Sequence, residues 1–363
     1  MRVLIFSADI GEGHDAPARA LRDGIAALRP NAEVAIVDSI EVAGRVVRAL
    51  LRDNSEYVLR RLPWLFDAQY WLVARWGPSR RFAEWLACRL ARRGLMRAVA
   101  AWPPDVVVAT YPGTNQVLGV ERLRGRLRVP LVSAVTDLAA LRYWAHPGSD
   151  LHLLIHPESA AEVRDVAGDD ARMVSVRGLS APAFDAPADE AAARASFGLP
   201  ADAPVVTVSG GGWGVGDLRG AVDAALAASP DTRVVALCGH HDELRRTLHG
   251  AYGATGRVTA LGFTDRMPDV LAATDVLVHS TAGLTALEAL VRGARVVSFG
   301  WGVGHVRLNN AAYRRFGLAD VVPDGRRLTE AIRRALDSPR RPDLAYGQRP
   351  TAAEVVLKVA AGR

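Results

Sequence analysis

HSTAGLTALEALVRGARVVSFGWGVGHVRLNN, running from His279 to Asn310, is the stretch whose reading decides the fold. The apolar run Asp275-Val-Leu-Val-His279 that leads into it predicts a buried strand. Ser280, Thr281 and Gly283 then make a small polar turn, and a helix is predicted from Leu284 to near Gly293. A second apolar strand, Arg295-Val-Val-Ser-Phe299, follows and leads into a glycine-rich loop. A helix start held over a strand end suits an anion, because its unpaired N–H groups and its dipole both favour negative charge. Glu288 sits about one turn into that helix, where a carboxylate can accept from two vicinal hydroxyls. The same pattern is equally that of an ordinary βαβ unit with a solvated Glu.

The rest of the chain repeats the pattern. At 363 residues, half of them hydrophobic, it is long enough for two domains with a core each. Near the start, Val3 to Phe6 reads as a strand, Ser7 to His14 as a loop containing Gly11 and Gly13, and Ala16 to Leu28 as a helix with Pro17 in its first turn. His14 stands where that helix begins, and there the dipole disfavours an imidazolium and keeps a neutral base. A His that only packs at the turn is the alternative. Further strands are predicted at 34–37, 105–109, 129–135, 151–155 and, at the edge, 171–177. Polar loops follow the second and third of these, including Thr136-Asp137-Leu138.

Residues 179–187 read as a linker rich in Pro and Gly. The pattern then restarts with Pro204 to Val208, the loop Ser209-Gly-Gly-Gly-Trp-Gly-Val-Gly216 and a helix from Leu218 to Ala228. That loop lacks the Gly-Lys-Ser/Thr of a Walker motif. Strands at 232–238 and 257–261 and a last helix over 351–361 complete the chain.

Composition narrows the partners. The net charge is +6 and Lys358 is the only lysine, so the basic surface is arginine. An anionic partner is implied: nucleic acid, an acidic membrane or a phosphate-bearing substrate. Cys88 and Cys238 lack metal-ligand spacing, no apolar run reaches about twenty residues, and the N-terminal run is too short for a signal peptide, so a cytoplasmic chain is expected. Residues 44–102 interleave arginines with Tyr57, Trp64, Phe66, Tyr70, Trp71, Trp76, Phe82 and Trp85. That mixture suits an anionic membrane surface, while an Arg-rich solvated face over core aromatics is the plainer reading and RNA a third.

Taken together, Gly11-Glu-Gly-His14, Thr136-Asp-Leu with Trp144, His146 and Asp150, Ser209 to Gly216, Gly262-Phe263 and Ala282-Gly-Leu-Thr-Ala-Leu-Glu288 with Asn309 give the chain a clear likeness. It resembles the GT-B glycosyltransferases of the monogalactosyldiacylglycerol synthase and processive diacylglycerol glucosyltransferase group (glycosyltransferase family 28). The resemblance implies an α/β chain of two Rossmann-like doubly wound domains facing across a cleft. Their expected bounds are 1–178 for the acceptor domain, 188–350 for the nucleotide-sugar domain and 351–363 for a C-terminal helix.

The activity implied is inverting, metal-independent transfer of a hexosyl group from a UDP-sugar to a lipid such as diacylglycerol, at the inner face of the cell membrane. UDP-sugar is a substrate, no cofactor is expected, and no nucleic acid is an expected partner. A soluble transferase acting on a small natural product, a UDP-sugar epimerase and a non-catalytic UDP-sugar binder are the alternatives.

For catalysis the resemblance implies His14, with Asp9 and Asp137 as residues that orient it or replace it as the base. For the donor it implies Gly210, Gly211, Gly212, Gly239, Phe263, Ser280, Thr281, Gly283, Leu284, Thr285, Glu288, His305 and Asn309. Gly11, Gly13, Thr136 and Trp144 are expected on the acceptor side. Relatives usually carry Gly-Gln-Glu where this chain has Gly304-His305-Val306, and Val306 cannot accept a hydrogen bond from a sugar hydroxyl.

Overall fold

The structure is a computed structural model, which describes all residues except 11, 52–62, 73–75, 187, 282, 301, 303, 342 and 363. Gly11, Ala282 and the middle of the basic aromatic stretch thus lie outside the described residues. The chain divides into two units. One holds residues 1–182 with 303–305 and 348–363, and the other holds 183–302 with 306–347.

In the first unit the described strands are β1 (Arg2–Ser7), β2 (Glu33–Asp38), β3 (Val106–Ala109), β4 (Leu131–Val135), β5 (Leu151–Leu154) and β6 (Met173–Ser175). They form one parallel sheet in the order β2-β1-β3-β4-β5-β6. The central strands are continuous apolar runs because helices cover both faces, and Val3 to Phe6 and Val106 to Ala109 are fully buried. The second unit holds β7 (Val205–Ser209), β8 (Arg233–Leu237), β9 (Val258–Leu261), β10 (Val276–His279), β11 (Arg295–Phe299) and β12 (Asp320–Val322). Their order is β12-β11-β10-β7-β8-β9, again all parallel.

Each sheet reverses direction beside its first strand, between β1 and β3 in one and between β7 and β10 in the other. At such a point successive crossovers leave on opposite faces, and the loops at the C-terminal strand ends part to form a crevice. Both predicted glycine loops and the turn at Ser280 fall there.

The first helix differs from expectation. It spans Glu12–Leu28 and so begins four residues before Ala16. Pro17 is therefore inside it rather than in its first turn. Near a helix start the missing proline N–H removes only a single early backbone bond. The edge strand is also shorter than the predicted 171–177, at Met173–Ser175. The last helix, Ala352–Ala360, starts at a capping box in which Thr351 and Glu354 bond each other's backbone. It belongs to the first unit, where Ala353 lies against Gly24 of the first helix.

The helix Gly77–Ala101 anchors the basic stretch through its C-terminal half, where Ala91, Gly94 and Leu95 are buried. Gly94 is required by a close approach: a Cβ there would stand 1.7 Å from the carbonyl oxygen of Val42. Gly94→Ala should therefore force the helix off the 39–43 segment. We expect a loss of about 1–3 kcal/mol in urea unfolding, the usual range for overpacking; an unchanged midpoint would refute the contact.

Candidate active site

The reversal point of the first sheet holds His14. Its Nδ1 lies 2.9 Å from the carbonyl oxygen of Thr110, the residue that follows β3. A carbonyl only accepts, so Nδ1 carries the proton and Nε2 keeps its lone pair. Thr110 is itself fixed, since its N–H and its hydroxyl both donate to the carbonyl of Phe6 on β1. The His14 ring meets Tyr111 edge-on at 5.1 Å and tilts against Trp144 at 5.7 Å. Desolvation by this packing pulls the His14 pKa down to about 4, with Asp137 opposing and His305 reinforcing the shift. His14 is thus a neutral base at neutral pH.

Trp144 is 1% exposed. Its indole N–H donates to Asp137 at 2.8 Å, and its carbonyl accepts from Asn115 at 2.8 Å and Ser133 at 2.6 Å. Its effect on His14 runs through ring packing and through the placement of Asp137. Asp9 is exposed. Gly13 is exposed in the first helical turn, and Thr136 is buried. His305 clusters with the first unit and not with the strands of the second. Its ring lies 6.3 Å from that of Tyr70, and the N–H of Gly304 donates to Asp67 at 2.8 Å.

Two other residues that carry the family likeness have structural roles. Asp150 accepts a two-pronged bond from Arg122 at 2.9 and 2.8 Å, and His146 accepts from the N–H of Gly148.

In the second unit the loop after β7 and the turn after β10 pack side by side. Gly211 is left-handed at φ +68°, and Thr281 lies against it. Ser280 donates to the carbonyl of Val215 at 2.5 Å, and the Ser209 hydroxyl accepts from Gly211 N–H at 3.2 Å. Gly239 must be glycine, because a Cβ there would stand 2.2 Å from the carbonyl oxygen of Gly212. The helix Leu284–Val291 starts at Gly283 with no side-chain cap, so its first N–H groups, including those of Leu284 and Thr285, are not taken up by a cap.

Glu288 is 7% exposed, on the helix Leu284–Val291. Burial raises its pKa to about 8. Phe263 is half exposed and stacks on His240 at 4.3 Å. Asn309 is fully buried in the helix His305–Arg315. Gly210 lies against the Gly214–Val215 backbone, and Gly212 accepts from the N–H of His240 at 2.8 Å. Among the described residues no His, Cys, Asp and Glu cluster has metal-ligating geometry.

Sequence reasoning placed the loop 110–114 on the crevice but gave Tyr111 no role, although an aromatic directly after β3 stands at the reversal point. It also missed His240, adjacent to Gly239 at the end of β8. Both follow from strand order, which no local motif states.

Residues 14–180 match the monogalactosyldiacylglycerol (MGDG) synthase family. The processive diacylglycerol beta-glucosyltransferase of Staphylococcus haemolyticus is 26% identical over 212 residues, 58% of this chain and 53% of the relative. The chain thus spans about half the length of the curated relatives it matches. The Streptomyces sp. SF2575 glycosyltransferase SsfS6, solved with thymidine diphosphate, superposes with a TM-score of 0.60 at 17% identity over 99% of each chain. MurG of Acinetobacter baumannii does so at 0.58 and 15%, over 100% of this chain and 99% of its own. Two parallel six-stranded sheets of this kind, in chains of that fold, are the GT-B architecture.

Proposed function

We propose that the chain is an inverting glycosyltransferase that moves a hexosyl group from a UDP-sugar to a hydroxyl of a lipid such as diacylglycerol. The observation that carries this is His14: half-buried against two aromatic rings, tied through Nδ1 to Thr110, and neutral with Nε2 as its lone-pair nitrogen. In this reading Nε2 takes the proton of the acceptor hydroxyl, whose oxygen attacks the anomeric carbon from the face opposite the phosphate. The bond from that carbon to the diphosphate oxygen breaks, and UDP leaves. Asp137 steadies the imidazolium that forms.

The second unit supplies the donor site. The uncapped N–H groups at Gly283 to Thr285, with the glycine loop at 210–212, balance the charge on the leaving diphosphate without calling on a metal. Glu288 accepts from the ribose hydroxyls, a role that suits a carboxyl held buried one turn into that helix. The acceptor class comes from the relatives, named for action on diacylglycerol.

Incubation with UDP-glucose, UDP-galactose or UDP-N-acetylglucosamine should release UDP from one donor, and only with vesicles containing diacylglycerol. Release without lipid would replace the lipid by a soluble acceptor, and interconversion of donors without release would make the chain an epimerase. His14→Ala should lose two to four decades of turnover, ~10²–10⁴-fold, while still binding UDP. Because His14 titrates at about 4, the acid limb of kcat/KM should fall near there and not near 6.5. Near-normal turnover in His14→Ala would remove the base.

Glu288 sets a second pH dependence. Its pKa of about 8 means that ionising it at pH 7 costs only about 1.4 kcal/mol. Hydroxyl bonds to the charged form contribute about 1.5–3 kcal/mol each, enough to draw the proton off as donor binds. Binding then favours the ionised form, so UDP affinity should climb from pH 7 and level off above about 8. Glu288→Gln should weaken UDP and flatten that rise; an unaltered pH profile would remove Glu288 from the ribose.

A further inference from the structure

Asn115 is fully buried in the helix Pro112–Leu123, and it bonds both residues whose rings pack on His14. Its backbone N–H donates to the carbonyl of Tyr111 at 3.2 Å. Its side-chain Nδ2 donates to the carbonyl of Trp144 at 2.8 Å. That carbonyl can only accept, so the amide orientation is fixed, and Oδ1 accepts from the Ser149 hydroxyl at 2.8 Å. Burying an amide is costly unless its atoms find partners, and a leucine of similar size would fill the same space. Here both side-chain atoms are used on the segment 144–149.

Both ends of this link are fixed. Gly119 lies one turn after Asn115, and a Cβ there would collide with the His146 ring, while a Cβ on Gly148 would collide with the carbonyl of Gly119. The segment 144–149 therefore lies flush on the helix. Ser133 on β4 gives the Trp144 carbonyl a second bond at 2.6 Å. The Trp144 indole N–H in turn holds Asp137 at 2.8 Å. Tyr111 stands at the N-cap of the helix, directly after Thr110, whose carbonyl bonds Nδ1 of His14. One buried amide thus joins the two groups of residues that surround the imidazole: Thr110 with Tyr111, and Trp144 with Asp137.

We propose that Asn115 is a positioning residue for the base: by bonding Tyr111 and Trp144 from one point, it fixes the spacing of the two rings on His14 and so the direction in which Nε2 meets the acceptor hydroxyl. The inference rests on the reading of His14 as the base. Ring spacing acts in two ways. It sets how much water reaches the imidazole, and burial is the first cause of the lowered His14 pKa. It also sets where Asp137 stands, because the Trp144 indole holds that carboxylate, and Asp137 opposes the shift. The Thr110 carbonyl raises the His14 pKa as well, and His305 lowers it. The Tyr111 hydroxyl stays neutral, its pKa pushed up to about 12 by burial. An apolar side chain at 115 leaves the Trp144 carbonyl to Ser133, the ring loses its stop, and water reaches His14. A side chain that only filled the core would change stability and leave the titration of that imidazole alone.

The test is the titration of His14 by nuclear magnetic resonance in protein with isotope-labelled histidine, its signal being the one missing from His14→Ala. In the unaltered chain the midpoint should lie near 4. Asn115→Leu should raise it by about one unit or more, toward the ordinary 6.5. The acid limb of kcat/KM should move up with it, a loss of about tenfold per unit on that limb. Ser133→Ala removes the other bond to the same Trp144 carbonyl and should shift the midpoint the same way by less, so it carries the test if Asn115→Leu does not fold. Ser149→Ala removes only the partner of Oδ1 and should leave the midpoint near 4. UDP affinity should hold in all three, because Gly283 to Thr285 and Glu288 belong to the second unit. A midpoint that stays near 4 in whichever of Asn115→Leu and Ser133→Ala folds, or that moves as far in Ser149→Ala, would overturn the proposal. A midpoint that moves while the acid limb stays would instead strike the functional reading, because the ring placement would stand and His14 would not be the base.

Discussion

One constraint shapes both units: a parallel sheet whose strand order turns back beside its first strand. Parallel neighbours need crossovers, and crossovers must lie on the faces. Where the order reverses, the two adjacent strands send their chains to opposite faces, and their ends are left without a covering helix. In the first unit the residues at those ends are His14 and Thr110, and in the second they are the glycine loop after β7 and the Ser280 turn after β10. The glycine conformations, the hydroxyl-to-carbonyl bonds and the buried carboxyl all answer to the crowding this creates. Gly239 is glycine because backbone meets backbone there, Gly211 because its backbone is left-handed, and Ser209 and Ser280 hold the two loops in place.

The strands were legible because burial on both faces writes a strand as a continuous apolar run. Arg295–Phe299 appears at the bounds read from its residues. The helix start at Glu12 was not, because Pro17 is a strong start signal that is also tolerated a turn later. The chemistry of His14 was half legible. Its position at a helix start pointed to a neutral imidazole, but in the structure burial against Tyr111 and Trp144 is the larger cause. Neither ring is near His14 in sequence. The burial of Trp144 could not be seen without its hydrogen bonds to Asp137, Asn115 and Ser133. The aromatic content of residues 44–102 was plain, yet composition cannot tell a core ring from an exposed one.

The departure at Gly304-His305-Val306 bears on what the proposed donor site can select. Gly302 is left-handed at φ +69°, and a Cβ there would stand 2.4 Å from a methyl of Val306. Val306 is therefore packed down on the glycine backbone, where it offers bulk and no acceptor. An apolar side chain distinguishes sugars by size, a matter of about 1–3 kcal/mol per methylene, whereas a hydrogen-bonding side chain rejects the wrong hydroxyl far more strongly. In the donor site proposed here, valine at this position does not read the orientation of a hydroxyl. Discrimination between epimeric hexoses then falls to polar groups elsewhere in the donor site, and a substitution that restores a carboxylate at 306 must also displace the methyl contact that shapes the Gly302 turn.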